Sequence, residues 1–394
     1  MLNKEQYQGM KGLMLREWNE ILKTRTLRMC LVYFPILALI FFTWFFKAQQ
    51  PDNLPVAVID TDNSSTSSKL VKMLDAVPEL KLVRSYTDLK SAETGLKEGT
   101  IYGVVAIPEG FEKSVMKGQQ GDVVLLYNNE LLIPAGTISK AVNKVTMTMG
   151  AGISIKRNMM KGDSYETALK KAQPIVIDSQ VMFNSTVNYL YFLVSGILPA
   201  ILQIFVLMVG GYVLGRELRQ GTGKEWLAYA NNNIIKAVIG KMAPYVAIFT
   251  LVGVTYNSVL YDYLNVPMNG SRWIIEIGQI LMILAYFGIS FTLVAWSRNM
   301  RFSISISAIF GALAFSFSGL TFPVSGMPDL AQSLTHMFPF THYLELFLNQ
   351  AFYGASVLSG LARLAIMCGF IILPLLSIKR MKEVMSDSKF YGRL

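Results

Sequence analysis

Three places in this 394-residue chain combine residue types that could do chemistry. Asp60-Thr-Asp62 closes the apolar run Leu54–Ile59, where a first carboxylate could act as the nucleophile of a membrane-bound phosphohydrolase. That reaction also needs a lysine and further carboxylates around Mg²⁺, and no ordered set of them is evident. The same stretch fails as a calcium loop: the sixth residue from Asp60 is Ser65 rather than Gly, and the twelfth is Val71 rather than Glu. Turn and helix-cap duty accounts better for Asp60–Ser65.

His336, His342 and Glu345 form the second group, with His342 and Glu345 on one helical face as a metal site would want. No ligand beyond these is evident, and Phe338, Phe340, Tyr343 and Phe347 interleave them, so interfacial structure without a metal is expected. The third is RELRQGTGKEW, Arg216 to Trp226, whose glycines and Gly-Lys pair suggest a phosphate loop. A P-loop would place glycine where Leu218 stands and Ser or Thr where Glu225 stands, and would follow a soluble strand. No P-loop is found elsewhere in the chain, so no catalytic residue for ATP hydrolysis by that mechanism is expected.

The elements that carry these residues are mostly apolar. The chain is 52% hydrophobic and 16% charged, against about 25% charged for soluble domains. Six runs approach the roughly 20 residues that cross a bilayer: Met29–Phe46, Tyr189–Leu214, Met242–Tyr261, Ile274–Trp296, Phe302–Phe322 and Leu358–Ile378. The expected fold is an α-helical integral membrane protein of six transmembrane helices, with an α/β extracytoplasmic domain inserted between helices 1 and 2. Its expected parts are an interfacial helix (1–28), helix 1 (29–48), the outer domain (49–187), helices 2–6 (188–378) and a tail (379–394).

Outside residues 49–187 there are 21 basic residues, and 18 of them share a side if the N-terminus is cytoplasmic. The positive-inside rule then puts both termini in the cytoplasm. Residues 49–187 balance 15 basic against 15 acidic residues, so the net +10 belongs to the membrane part. Topology and lipid contact explain it, and no nucleic-acid partner is expected. The only cysteines, Cys30 and Cys368, lie in apolar runs, so the outer domain has no disulfide framework.

Along the N-terminal segment, Met10, Met14, Trp18, Ile21 and Leu22 share one helical face, which suits a helix in the membrane interface and equally a cytoplasmic extension of the first span. In the outer block, strands are expected at Leu54–Ile59, Leu80–Val83, Ile101–Ile107 and Asp122–Tyr127. Helices are expected over Ser68–Ala76, from a Thr87 cap to Lys97, from Pro108, from Ile133 to Met160 and around Tyr165–Lys171. Alternating strands and helices predict an open, mostly parallel α/β sheet. Glu276 and Arg363, charged groups inside apolar runs, are candidates for a pair near an outer gate. Lys236 and Lys241 sit at the inner edge with no special role expected, and Gly211-x-x-x-Gly215 suggests ordinary close packing.

Gly-Arg-Glu-Leu-Arg-Gln-Gly-Thr at 215–222, followed by Gly240-Lys241 and Pro244-Tyr245, resembles the cytoplasmic region of type-2 ABC exporter permeases. Gly319-Leu-Thr-Phe-Pro323, with Met327-Pro328 and Pro339, is similar to a second element of that family, and Leu54–Asp60 with Asp62-Asn-Ser to a third. Gly223-Lys224 departs from the pattern, where an apolar residue is commoner.

The resemblance implies a permease subunit without its own ATPase, with ATP and Mg in separate ATP-binding cassette subunits and no cofactor in this chain. A second permease copy or a related permease would complete the membrane path, and a periplasmic adaptor is a further candidate partner. Arg216, Glu217, Arg219, Gly221, Thr222, Lys224, Glu225 and Trp226, within a coupling loop at 215–233, would contact the ATPase subunit. Glu217 and Lys224 are expected to face water, with Trp226 and Leu227 at the interface. Phe322, Pro323, Met327 and Pro328 join Glu276 and Arg363 as gate candidates. The expected location is a bacterial inner membrane, and the expected activity export of an amphipathic or lipophilic cargo. A non-transporting receptor or scaffold displaying the outer domain is the alternative from another class.

Overall fold

The computed structural model describes residues 8–47, 51–172, 183 and 188–392. It divides into two compact units, Met1–Gln49 with Met182–Leu394, and Gln50–Val181. The expected boundaries at 48, 49 and 187 lie outside the described residues.

In chain order, α1 (Gly9–Lys23) ends where Thr24 takes an extended backbone. Helix α2 (Arg25–Phe45) follows, with a π-helical turn at Met29–Tyr33. The second unit then alternates β1 (Leu54–Asp60), α3 (Ser65–Asp75), β2 (Leu80–Val83), α4 (Leu89–Lys97), β3 (Gly103–Ile107), α5 (Phe111–Lys117) and β4 (Val124–Tyr127). Two helices close it, α6 (Leu132–Met160) and α7 (Tyr165–Ala172).

The sheet order is β2-β1-β3-β4, with β2, β1 and β3 parallel and β4 antiparallel to β3. Side chains alternate across a strand, so β1 and β3 feed two cores. Val56, Val105 and Ile107 pack with Leu70 and Leu74 of α3 and Ile138 and Val142 of α6. On the other face Ala57, Ile59 and Val104 pack with Ala92 of α4. The expected alternation holds, with corrections at helix starts: α3 begins at Ser65 rather than Ser68, behind the Ser64 cap. Asp88, rather than Thr87, caps α4 by accepting the Ser91 N–H at 2.8 Å. Helix α5 begins at Phe111 rather than Pro108, because Gly110 takes a left-handed backbone before it.

Asp60 and Asp62 both serve the backbone. Asp60 Oδ1 accepts the N–H groups of Asp62 and Asn63 at 3.1 and 3.0 Å. Asp62 accepts those of Gly110 and Glu112 at 2.8 and 3.1 Å, tying the end of β1 to the start of α5. Ser64 and Ser67 close a reciprocal capping box on α3.

The first unit continues with α8 (Leu190–Gln220), the short α9 (Gly223–Tyr229), α10 (Ile234–Tyr263), α11 (Arg272–Ser297) and α12 (Met300–Ser316). After these come α13 (Asp329–Thr335), α14 (Pro339–Ala351) and α15 (Val357–Ser386). Five of these helices, α2, α8, α10, α11 and α15, are long and apolar enough to cross a membrane. The remaining expected span, Phe302–Phe322, overlaps α12, an apolar helix of 17 residues that ends at Ser316, short of the expected Phe322.

Helix α8 is mostly buried against α11 and α12. Ser290 of α11 donates to the Leu207 carbonyl of α8 at 3.0 Å. At Gly215 a Cβ would lie 2.9 Å from the Met300 Cα, so this glycine serves close packing. On α15, Leu358 and Leu376 are exposed, as on helices that face hydrocarbon.

Helices α8 and α10 outrun their apolar cores toward the basic side. The former continues six residues past Leu214, and the latter starts eight residues before Met242. Charged side chains are thereby carried on rigid helix rather than on loop.

Two outcomes test the second unit. Leu74→Ala, at a fully buried site, is expected to lower the opening free energy of β1–β3 in hydrogen exchange by about 2–5 kcal/mol. The Ser64 hydroxyl, then the N–H groups of Glu112, Gly110 and Phe111, hold the Asp62 carboxyl below the usual carboxylate range. A depressed carboxyl stabilises the fold above its unfolded value and loses that contribution as pH falls through the folded one. Asp62→Asn should therefore flatten the loss of α5 exchange protection below about pH 4.

Candidate coupling site

The extended ends of α8 and α10 meet α1 in a cluster of buried charge. On α1, Leu13, Glu17 and Ile21 fall four residues apart on one face, and all three are buried. This face lies beside the expected one: Met10, Trp18 and Leu22 are exposed. On α10 the same spacing aligns Ala237, Lys241, Tyr245 and Phe249 as a buried stripe. Glu217 lies one turn from the end of α8 and is fully buried.

Lys241 is the centre. Its Nζ donates to Glu17 Oε1 at 2.8 Å and to Glu217 Oε1 at 2.7 Å, with all three side chains out of solvent. Arg16 Nη2 donates to Glu217 Oε1 and Oε2 at 2.9 and 3.2 Å, and the Thr222 hydroxyl donates to Oε2. Tyr245 donates to Glu17 Oε2 at 2.9 Å. Arg216 Nη1 donates to Glu20 Oε2 at 3.0 Å, with Nη2 4.0 Å from Glu17 Oε2. Three carboxylates thus face three cations. The Trp226 ring lies 5.8 Å from Lys241 Nζ, completing the cation's surroundings.

Burying charge costs several kcal/mol per ion, and it is repaid only when partners and hydrogen bonds are complete. Here Glu17 and Glu217 each have both oxygens occupied. Arg16 is held above its ordinary value by Glu217 and then Glu17, against the opposing effect of burial. The arrangement works as a neutral clasp joining α1, α8 and α10.

The segment beyond it sorts into two faces. Gly221, with φ +71°, ends α8 in a left-handed turn. Helix α9 then buries Gly223, Trp226 and Leu227 while Lys224 and Glu225 stay exposed, as does Arg219 on the last turn of α8. The C-terminal tail supports α9 from the other side. Tyr391 Oη accepts the Lys224 N–H at 2.9 Å, and a Cβ at Gly223 would lie 2.6 Å from the Met385 carbonyl oxygen. The Gly392 N–H donates to the Leu218 carbonyl at 3.1 Å.

Several expectations change. Residues 215–220 are helix rather than loop. Glu217 and Trp226 are buried rather than facing water or the interface, and Arg216 is nearly so. Lys241, expected to have no special role, holds the cluster together. Sequence reasoning also missed Arg16, Glu17, Glu20, Tyr245 and Tyr391. The available signal was a carboxylate between Leu13 and Ile21 on one face, and a lysine four residues before a tyrosine on another.

The other candidates separate. Glu276 and Arg363 do not pair: Glu276 lies 3.7 Å from Arg272 Nε, and Arg363 Nε is 2.7 Å from Glu345. That ion pair also takes Glu345 away from the histidines, and His342 Nε2 lies 3.1 Å from the His336 carbonyl oxygen. Phe322, Pro323 and Pro328 are exposed and Met327 is half-buried, flanking a short turn at Val324–Gly326 ahead of α13.

Fold and site together define a multi-pass helical membrane protein with a buried charge cluster where three of its helices meet. The profile of ABC-2 family transporter proteins matches residues 25–378, and the chain belongs to that family. It is therefore a membrane subunit of a transporter, a class that is not itself catalytic. The inner membrane transport permease YhhJ of Escherichia coli K12 is 23% identical over 301 residues, 74% of this chain and 75% of its own length. The probable multidrug ABC transporter permease YbhR of Escherichia coli K12 is 20% identical over 345 residues, 85% of this chain and 87% of its own. A crystallised domain assigned to an ABC type-2 transporter of Thermotoga maritima MSB8 matches 31% of this chain and 81% of its own length. Its identity is 20% and its TM-score 0.24, a superposition too loose to inform the fold.

Lys241→Met is expected to destabilise the protein by about 3–5 kcal/mol, because it leaves Glu17 and Glu217 buried without their common cation. Lys224→Met, on the exposed face, should stay within about 0.5 kcal/mol. Thermal unfolding of the purified protein in detergent separates the two.

Proposed function

We propose that this chain is the permease subunit of an ATP-driven exporter. It lies in a bacterial inner membrane with both termini cytoplasmic and residues 49–187 outside. Two permeases, this chain twice or paired with a related one, form the path, and separate ATP-binding cassette subunits bind beneath. The distribution of 18 of 21 basic residues on one side supports the orientation. The apolar α12 supplies the sixth crossing together with the residues that follow it to Phe322. The name of the relative YbhR, a multidrug permease, favours a lipophilic or amphipathic cargo.

The observation that carries the coupling reading is the division of the 216–226 segment. Arg219, Lys224 and Glu225 stand outward as the surface for the ATPase subunit, while Arg216, Glu217, Thr222 and Trp226 face inward on the clasp. Coupling needs an element with differential contacts in two states. A short helix rigidly joined to three longer ones meets the mechanical half of that requirement, because rigid bodies are what such transitions move. Phe322, Pro323, Met327 and Pro328, with the separate Arg272–Glu276 and Glu345–Arg363 pairs, form the outer gate in this reading.

The double charge reversal Lys224→Glu with Glu225→Lys should lower drug-stimulated ATPase activity by about tenfold in membranes that also contain the ATP-binding subunit, a change of about 1.4 kcal/mol. Membrane insertion and thermal stability should not change. Unaltered stimulation refutes this surface as the coupling contact, and failure to co-purify any ATP-binding subunit refutes the exporter reading itself.

A further inference from the structure

Helix α6 has two halves that do different things. Its first half packs Ile138, Val142, Val145 and Met149 into the core beneath the sheet. The same stripe continues through Gly150, Ile153, Ser154 and Arg157, at the three- and four-residue spacing of one helix face. There it lines an open cleft of about 340 Å³. The facing wall is formed by Phe111 and Val115 of α5, the turn at 118–121 and Val123.

One end of this cleft is charged. Arg157 Nε is buried without a hydrogen-bond partner, and the guanidinium has no ion pair among the described residues. Its Nη1 end abuts Gly118, where a Cβ would lie 2.2 Å from Nη1. Among the described residues no carboxylate lines the cleft. A buried donor on a cation left unpaired is a costly arrangement, and each such group needs a reason.

Gly150 adds a second observation. It interrupts a helix of 29 residues, where glycine is among the poorest helix formers. Packing does not require it, since a Cβ there would meet nothing within 4 Å. It lines the cleft, so a large side chain placed there would enter it.

We propose that this cleft binds a small anionic amphiphile. A carboxylate or phosphate head pairs with Arg157, and a short apolar tail lies against Phe111, Val115, Met149 and Ile153. The volume is at the lower end of the roughly 300–1,000 Å³ of ligand pockets, so it suits a single chain rather than a two-chain lipid. The inference stands apart from the coupling reading, because every residue it uses belongs to the second unit.

The test uses the full chain in nanodiscs, titrated calorimetrically with decanoate, decyl phosphate and uncharged decanol against empty nanodiscs. Saturable binding of decanoate or decyl phosphate is expected, with decanol about tenfold weaker or more; the tighter anion identifies the head group. Arg157→Gln should lose about tenfold for the anions and leave decanol unchanged, and Arg157→Lys should keep most of the affinity. Gly150→Leu should abolish binding of all probes while hydrogen exchange shows α6 as protected as before. Anion binding no greater than to empty nanodiscs overturns the proposal, as does binding that neither variant changes, or decanol binding as tight as that of the anions.

Discussion

The first unit depends on one shared cation. Lys241 places a positive charge between Glu17 and Glu217, at 2.8 and 2.7 Å, where none of the three reaches water. The full set of contacts forms only when three helices arrive together, since Lys241 of α10 bonds at once to Glu17 of α1 and Glu217 of α8, and those two carboxylates without it would face each other unpaired. Apolar packing alone would let α1 slide or rotate on α8 and α10 at little cost. The ionic contacts fix its register, which is the best-attested use of buried polar groups.

From that register the shape of the coupling segment follows. Glu217 takes the Thr222 hydroxyl as well as Arg16 and Lys241, so the turn after α8 is held directly by the cluster. Trp226 then packs over Lys241, and the C-terminal tail closes the far side through Tyr391. Helix α9 is therefore clamped from two sides and offers only Lys224, Glu225 and their exposed neighbours outward. A force applied there reaches α1, α8 and α10 at once. In the proposed function, coupling further requires a partner that binds two states of this body differently.

Much of this architecture was legible in the sequence, and the misses share a cause. The apolar runs found the long helices because hydropathy reports burial in lipid directly. The sheet of the second unit was legible because β1 and β3 are short β-branched runs between turn residues such as Asp60–Ser65 and Glu109-Gly110. Helix ends were read less well: Asp88 displaced Thr87 as a cap, and Gly110 displaced the start expected at Pro108. The site was half legible. The motif at 215–222 marked the right place, but charge was taken as a sign of exposure, so Glu217 was assigned to water and Lys241 to nothing. Charged residues are seldom fully buried unless paired, and the pairing partners lie 24 and 224 residues from Lys241 along the chain. No local pattern reports a contact of that separation. The proposed Glu276–Arg363 pair failed for a different reason: partners closer in sequence, Arg272 one helical turn before Glu276 and Glu345 before Arg363, claim each charge.

The central claim is that α1 and α9 move as one body because the Lys241 clasp joins them. It is tested most directly by the distance between spin labels at Lys11→Cys and Ala228→Cys, both exposed positions, after replacement of the native Cys30 and Cys368. Measured with the ATP-binding subunits present, that distance should stay within about 2 Å between the nucleotide-free and ATP-bound states, the scale of small shifts within packed elements. It should broaden when Lys241→Met is introduced. A change of about one helical turn, roughly 5 Å, in the unsubstituted cluster would contradict the account.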